Sequence, residues 1–272
     1  MILLLVCIFL LVVLLARANR EGTLIRKASD TIFGFGWSFL SENVDKEISG
    51  VKKELYSEVS GNVLEIGAGL GTSLKYLNMK KIKRFLAVEP NKAFHEGIER
   101  EALKTGFVVD YITTADIKQG KLVEKLKTSG NKPCLYIYGE FLAKNPETQE
   151  LVASFGFFDS VIISYVLCSV GDVEQMLGLM GSVLSKSGKL YFNEHVSANE
   201  NGSASEVIFH YFQELVTPIW GVFLGNCHLN RRTGEMIENS AYFKNVKIKR
   251  TTLAKSGFSR LLPVVYGSAE KA

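Results

Sequence analysis

Three glycines, two acids and a late histidine are the residues of this chain whose types and spacing could do chemistry. Gly67, Gly69 and Gly71 lie in the run Leu64-Glu-Ile-Gly-Ala-Gly-Leu-Gly-Thr72. Glycine allows a tight turn and lets a ligand approach with no Cβ in the way. The spacing G-x-G-x-G is one residue shorter than the G-x-G-x-x-G of dinucleotide binders. The shorter loop suits a ligand without a pyrophosphate and points to S-adenosyl-L-methionine rather than a nicotinamide dinucleotide. A helix-like segment from Ser73 onward is expected to offer free N–H groups to that ligand. Glu89, in Val88-Glu-Pro-Asn91, stands at the tip of the next strand-like run, about 20 residues on. A carboxylate there can accept hydrogen bonds from both hydroxyls of a ribose.

Other constellations exclude more than they suggest. The cysteines Cys7, Cys134, Cys168 and Cys227 are far apart and form no C-x-x-C pair. That argues against a zinc site or a disulfide framework and reads Cys168 and Cys227 as structural thiols. His210 and His228 show no ligand spacing with any acid or cysteine, so no metal is expected. The net charge is +4 and no basic run carries interleaved aromatics, so a nucleic-acid partner has no support.

The elements that must position these residues alternate. Strands are expected at 63–66, 85–88, 134–138, 158–164 and 189–193, with an antiparallel pair at 246–249 and 262–267. Helices are expected at 41–60, 92–104, 121–127 and 173–184, each with one apolar face. Alternation of this kind predicts an α/β fold, a doubly wound, mostly parallel sheet of seven strands. In such sheets ligands bind outside the carboxyl ends of the strands. Residues 1–16 are an unbroken apolar run, and Arg17, Arg20, Arg26 and Lys27 follow it. With no charge ahead of the run, an uncleaved membrane anchor is expected rather than a signal peptide, the charges holding the domain on the cytoplasmic side. The division is then an anchor (1–20), a juxtamembrane segment (21–40) and a catalytic domain (41–272). The aromatics of 32–39 suit either a membrane interface or packing on the domain.

The motifs resemble those of class I S-adenosylmethionine-dependent methyltransferases: 64–72 its first, 88–91 its second, 185–190 the turn into its fifth strand. Tyr165-Val-Leu-Cys-Ser-Val170, Tyr191-Phe-Asn-Glu-His-Val196, Thr217-Pro-Ile-Trp220 and Gly225-Asn-Cys-His-Leu229 are similar to the membrane-anchored microsomal thiol S-methyltransferases. The resemblance implies a cofactor site from Glu65, Gly67, Gly69, Gly71, Glu89, Gly139, Glu140, Tyr165 and Val166. Glu65 would hold the methionine amino group. Gly139-Glu140 would end the third strand, with Asp116 as the rival acid if that strand instead lay at 108–112. His195 is the titratable group expected near the transferred methyl. An acceptor pocket is expected from 199–229, with Phe209, Tyr211, Phe212, Trp220 and Phe223 as an aromatic lining. The implied activity is methylation of small lipophilic acceptors, thiols first, by a monomer at the endoplasmic reticulum membrane or a lipid droplet. Carbon or oxygen methylation of a quinone or other lipid, and a non-catalytic surface protein, stay open.

Overall fold

A computed structural model of the protein describes residues 23–126, 132–142, 145–252 and 262–272. Among the described residues eight strands form one sheet, which from edge to edge runs through 108–112, 134–138, 82–88, 61–66, 158–164, 184–195, 263–271 and 243–252. The central four are β1 (Gly61–Ile66), β2 (Ile82–Val88), β4 (Cys134–Tyr138) and β5 (Phe158–Ser164), all parallel. Their sequences are near-continuous apolar runs, because a central parallel strand is covered on both faces. Phe85, Leu86, Leu135, Ile137, Ile162 and Val161 are all fully buried. β6 (Leu184–His195) runs parallel to β5. β8 (Pro263–Lys271) inserts antiparallel between β6 and β7 (Phe243–Thr252).

The helices are α1 (Thr23–Glu47), α2 (Ser49–Tyr56), α3 (His95–Thr105), α4 (Thr114–Lys118), α5 (Leu122–Lys125), α6 (Pro146–Phe155), α7 (Val173–Val183), α8 (Ala204–Phe223) and α9 (Thr233–Glu238). Their ends follow local chemistry. Asp172 caps α7 through Gln175 N–H, and Ser203 with Glu206 makes a capping box at α8. Gly106, at φ +96°, closes α3.

Three expectations need correction. The sheet has eight strands, not seven: β3 (Val108–Ile112) adds an outer strand beside β4. Only Ile112 of its five residues is buried, as suits an edge strand, and the sequence offered this run only as the rival place of the third strand. Cys134–Tyr138 nevertheless sits beside β2, in the slot expected of the third strand. Second, no helix follows the glycine loop, only a 3-10 turn at Leu74–Tyr76. The anion-binding helix terminus expected there is absent, and the loop's own geometry must hold the ligand. Third, the helix expected at 41–60 is two, broken at Ile48, and the first begins at Thr23. Among the described residues no helix is long and apolar enough to cross a membrane. The expected anchor, 1–20, lies outside the described residues.

Candidate active site

The carboxyl ends of five strands are stitched together by short contacts. Gly67 N–H donates to Val88 O (2.8 Å), joining the ends of β1 and β2, and Glu89 N–H donates to Tyr138 O (3.0 Å), joining β2 to β4. Tyr165 N–H donates to Asn193 O (2.9 Å), joining β5 to β6. Gly67, Gly69 and Gly71 all have positive φ (+70°, +55° and +73°). A Cβ built on Gly67 would stand 2.5 Å from Val166 Cγ2, so the loop after β5 packs directly on the glycine loop.

The acids of this half are fixed by that loop. Glu89 is buried; its Oε2 accepts from Gly69 N–H and its Oε1 from Asn91 N–H, both at 2.8 Å. Glu65 is buried and accepts from Ser73 Oγ–H (2.7 Å). Burial pushes its pKa up to about 7, against the Ser73 hydrogen bond and the nearby Lys52 charge. Lys52 is itself buried and donates to Asp45 Oδ1 and Thr72 Oγ1, both at 2.8 Å. Asp45 also accepts from Tyr76 Oη–H (2.8 Å) and pairs with Lys75. This network ties α1 and α2 to the glycine loop.

α1 lies over the strand ends as a cover. Trp37 packs edge-on to Tyr165 (6.5 Å between centroids) and its Nε1 stands 3.7 Å from where a Gly69 Cβ would be. Phe33 meets the Phe94 ring (6.1 Å) and approaches Gly225. Phe35 and Phe39, on the other side, are exposed. The aromatics of 32–39 thus divide: Phe33 and Trp37 pack on the domain, and Phe35 and Phe39 face outward. A charged groove of about 520 Å³ between α1 and α3, walled by Glu42, Lys46, Glu96 and Arg100, contains none of the expected site residues.

Gly139 and Glu140 follow β4 and so adjoin Glu89; a Cβ on Gly139 would meet His95 Cε1 at 2.9 Å, and Glu140 is exposed. Asp116 stands at the end of the outer strand and is engaged locally. It accepts from Thr113 N–H (2.8 Å) and Thr113 Oγ1–H and pairs with Lys125 (3.0 Å), and Thr113 with Lys125 holds its pKa down to about 2.

The other half of the site is the end of β5 and β6. Tyr165 adopts φ +58°, a strained conformation for a bulky residue. Glu194 is buried and its Oε1 accepts from Val166 N–H (2.9 Å), fixing the 166–170 turn; burial pushes its pKa up to about 7. The turn is also held from the far side: Arg231 donates to Leu167 O and Val170 O (2.6 Å each), His228 N–H to Cys168 O (2.8 Å) and Asn226 Nδ2–H to Ser169 O (2.8 Å). These bonds bring together three residues from separate segments. Cys168, His195 and Cys227 place their sulfur and nitrogen atoms within 4.8 Å of one another, with Cys227 Sγ 3.3 Å from His195 Nε2. Burial lowers the His195 pKa, but Cys168 and Glu194 outweigh it and hold it above the usual range. Around this cluster, Tyr165 Oη, Asn193 Oδ1, Glu194 Oε2, His195 Nδ1 and Trp220 Nε1 are buried without a partner at full hydrogen-bond geometry, although Tyr165 faces Asn193 and Trp220 faces Cys227. Orphans of this kind are costly unless a ligand or water meets them.

Sequence reasoning missed this convergence. Reading Cys168 and Cys227 as separate structural thiols rested on their spacing, and about 60 residues of intervening chain conceal a contact that only tertiary folding makes. The expected aromatic lining is only partly present. Phe209 is buried and Trp220 half-buried, but Tyr211 and Phe212 face outward on α8; the Phe223 side chain lies outside the described residues. A helix wheel would have placed Tyr211 and Phe212 away from Gln213 and Thr217, which are the buried face.

Against known proteins, a family model described as a methyltransferase domain matches residues 39–236. The chain belongs to that family. Human thiol S-methyltransferase TMT1A is 24% identical over 235 residues, covering 84% of this chain and 81% of that protein. Rat thiol S-methyltransferase TMT1B is 24% identical over 227 residues, covering 80% and 78%. Two solved structures share the fold, each at TM-score 0.51. One is an S-adenosylmethionine-dependent methyltransferase from Thermotoga maritima, described as a possible histamine N-methyltransferase (16% identity, covering 90% of this chain and all of that one). The other is Haemonchus contortus phosphoethanolamine N-methyltransferase 2 in complex with S-adenosyl-L-methionine (12% identity, covering 94% and 60%). The protein is an S-adenosylmethionine-dependent methyltransferase with the class I α/β fold. The residues present fit that cofactor: a glycine cradle that a Cβ would fill, a buried carboxylate anchored on it, and a buried tyrosine hydroxyl without a partner at full hydrogen-bond geometry.

Proposed function

We propose that the protein methylates small lipophilic thiols, at a membrane surface. The observation that carries the reading is the buried end of β5 and β6, where a thiol–imidazole cluster stands among buried polar atoms that lack partners at full hydrogen-bond geometry. A small acceptor with one polar head would meet those atoms. The curated relatives named thiol S-methyltransferase point the same way.

In this reading Glu89 accepts the ribose hydroxyls, Glu65 holds the methionine ammonium, and Gly67, Gly69 and Gly71 let the cofactor lie against bare backbone. Gly139 and Glu140 border the adenine side. Tyr165 and Val166 wall the methionine side, between the glycine loop and Cys168. S-adenosylmethionine supplies a methyl group already activated by the sulfonium charge. The protein's task is therefore alignment, which is worth about 7–11 kcal/mol. A thiol reacts as its thiolate. In this reading His195, buried beside the two cysteines, assists loss of the acceptor's proton. Trp37 of α1 packs on Tyr165 beside this cluster.

The membrane reading rests on α8. Ile208, Tyr211, Phe212 and Leu215 form one outward stripe, with Ile208 70% and Leu215 77% exposed, while His210, Gln213 and Thr217 turn inward beside Phe209. His210 meets Ser197 Oγ (2.9 Å), and Gln213 bridges Ala198 N–H (2.7 Å) and Val196 O. A helix with its apolar face outward suits a lipid interface. Phe35 and Phe39 add to the exposed apolar surface.

The test is a turnover assay. Full-length protein with S-adenosylmethionine is offered alkyl and aryl thiols beside matched phenols, and S-adenosylhomocysteine is measured. Product with thiols alone, abolished by Gly69→Arg, is expected. Turnover of phenols or lipid extracts with no thiol product would overturn the acceptor assignment.

A further inference from the structure

We propose that Cys168, His195 and Cys227 form a three-ligand site for a thiophilic divalent cation, zinc first, whose open fourth position takes the sulfur of the acceptor. The second half of that statement rests on the thiol-acceptor reading above; the first does not.

The donors come from three different segments: the turn after β5, the last residue of β6 and the loop after α8. None is there by sequence adjacency. All three ligand atoms lie within 4.8 Å of one another, and Cys227 Sγ is 3.3 Å from His195 Nε2. Tetrahedral zinc, with Zn–S near 2.3 Å and Zn–N near 2.0 Å, needs donor–donor edges of about 3.5–3.8 Å. The cluster thus closes on a cation by movements of about an ångström or less.

A second observation points to a ligand. His195 is only 7% exposed, and its Nδ1 has no hydrogen-bond partner. Its Nε2 meets a sulfur. An imidazole buried among sulfurs with an unpartnered nitrogen is costly as a structural residue. Coordination through Nε2, the nitrogen that faces the sulfurs, would fix the proton on Nδ1, and a water or the acceptor can meet that N–H.

The supports are those a metal site needs. Backbone-directed bonds from Arg231, His228 and Asn226 fix the loops bearing Cys168 and Cys227 on each other. Glu194, next to His195, clamps the turn that carries Cys168 through Val166 N–H. Groups that orient ligands in this way raise metal affinity, typically 10–100-fold. Two thiolates and one neutral imidazole balance the +2 charge, so the loaded site is neutral in an interior that would reject net charge. Three protein ligands with an open position are the pattern of catalytic rather than structural zinc.

The chemistry balances without an oxidant. As the acceptor thiol binds, the metal–sulfur bond forms, the S–H bond breaks and the proton passes to water. The bound sulfur then forms a bond to the methyl carbon. The carbon–sulfonium bond breaks with its electron pair going to the cofactor's sulfur, which leaves as S-adenosylhomocysteine. The thioether product is a weaker ligand than thiolate and dissociates.

The test uses detergent-solubilised full-length protein kept reduced with a phosphine, titrated with Co²⁺ and separately with Zn²⁺. One equivalent is expected to bind, with the thiolate-to-cobalt charge-transfer absorption that reports sulfur ligation. Cys168→Ser, Cys227→Ser and His195→Gln are each expected to weaken binding at least tenfold while retaining S-adenosylmethionine binding, which shows that they fold. Adding an alkyl thiol is expected to shift the cobalt spectrum, and the matched alcohol is not. Reduced wild-type protein that binds S-adenosylmethionine but takes up no metal overturns the site, while leaving thiol methylation standing. Bound cobalt blind to alkyl thiols overturns the open position. A thiol-induced shift with no S-adenosylhomocysteine formed supports the site and overturns turnover of that thiol.

Discussion

The two halves of the sheet are built on different principles. On the β1–β4 side every candidate residue is in or next to the strand that presents it: Glu65 and the glycines at the end of β1, Glu89 after β2, Gly139 after β4. On the β5–β8 side the cluster is assembled from residues 168, 195 and 227, drawn together by long-range backbone-directed bonds. The first half depends on local backbone geometry and the second on tertiary fixation. A methyltransferase can therefore keep its cofactor half recognisable while its acceptor half varies by moving loops.

The sharpest break is at the seam between the halves. Gly67→Val places a branched side chain where a Cβ already comes 2.5 Å from Val166, at φ +70°. It is expected to abolish S-adenosylmethionine binding, read by calorimetry, with activity down at least 100-fold. By contrast, Cys227→Ser is expected to leave cofactor binding within twofold and act on turnover alone. If both substitutions abolish cofactor binding, the two halves are not separable. Next in size is Lys52→Met. It leaves the buried Asp45 with only the half-exposed Lys75 as cation and is expected to cost up to about 3 kcal/mol in denaturant unfolding. The double substitution Asp45→Leu with Lys52→Met is expected to recover most of that loss. A neutral Lys52→Met would mean that Lys75 alone satisfies Asp45.

Legibility in the sequence follows the same division. Cys134–Tyr138 and Phe158–Ser164 were readable residue for residue, because strands buried on both faces leave unbroken apolar runs. Gly67, Gly69 and Gly71 were readable because positive φ leaves a mark in residue type. β3 was legible only as a rival place for the third strand, since just one of its five residues is buried. The turn at Leu74–Tyr76 was not legible, since its apolar spacing imitates a helix for one turn. The cluster of Cys168, His195 and Cys227 leaves no local pattern at all, because its proximity is a property of the closed sheet and of α8. Tyr211 and Phe212 were read as pocket lining because aromatic content is visible in sequence and facing direction is less so.

The pH dependence separates the halves by a gentler route. Burial raises the pKa of Glu65 from 4.5 to about 7. The folded apo protein therefore holds a proton that the unfolded chain gives up. Its contribution to stability is full below about pH 4.5 and is lost as pH rises toward 7, a difference of up to about 3 kcal/mol. Cofactor binding runs the opposite way if Glu65 holds the ammonium, because only the carboxylate can. Affinity for S-adenosylmethionine is expected to fall about tenfold per pH unit below 7, and to decline again above about pH 8 as the ligand's α-amino group loses its proton. Glu65→Gln is expected to flatten both profiles below about pH 7 and lower affinity. A binding profile of Glu65→Gln that still falls below pH 7 would assign the titration to another group, Glu194 on the acceptor half being the first to test.

The smallest effect on the fold is expected where the acceptor half meets the outside. Ile208→Glu with Leu215→Glu puts two charges on the outward stripe of α8, at positions 70% and 77% exposed. Substitutions at such positions usually stay within about 0.5 kcal/mol of the parent in stability. Turnover of a short, water-soluble thiol is expected to be unchanged, since the buried stripe of His210, Gln213 and Thr217 is untouched. Co-sedimentation with phosphatidylcholine vesicles, and turnover of a long-chain thiol presented in them, are each expected to fall several-fold. A loss of stability beyond about 1 kcal/mol would show instead that this face is covered by protein. The apolar outer stripe would then be part of the fold, and the acceptor half would be closed on both sides as the cofactor half is.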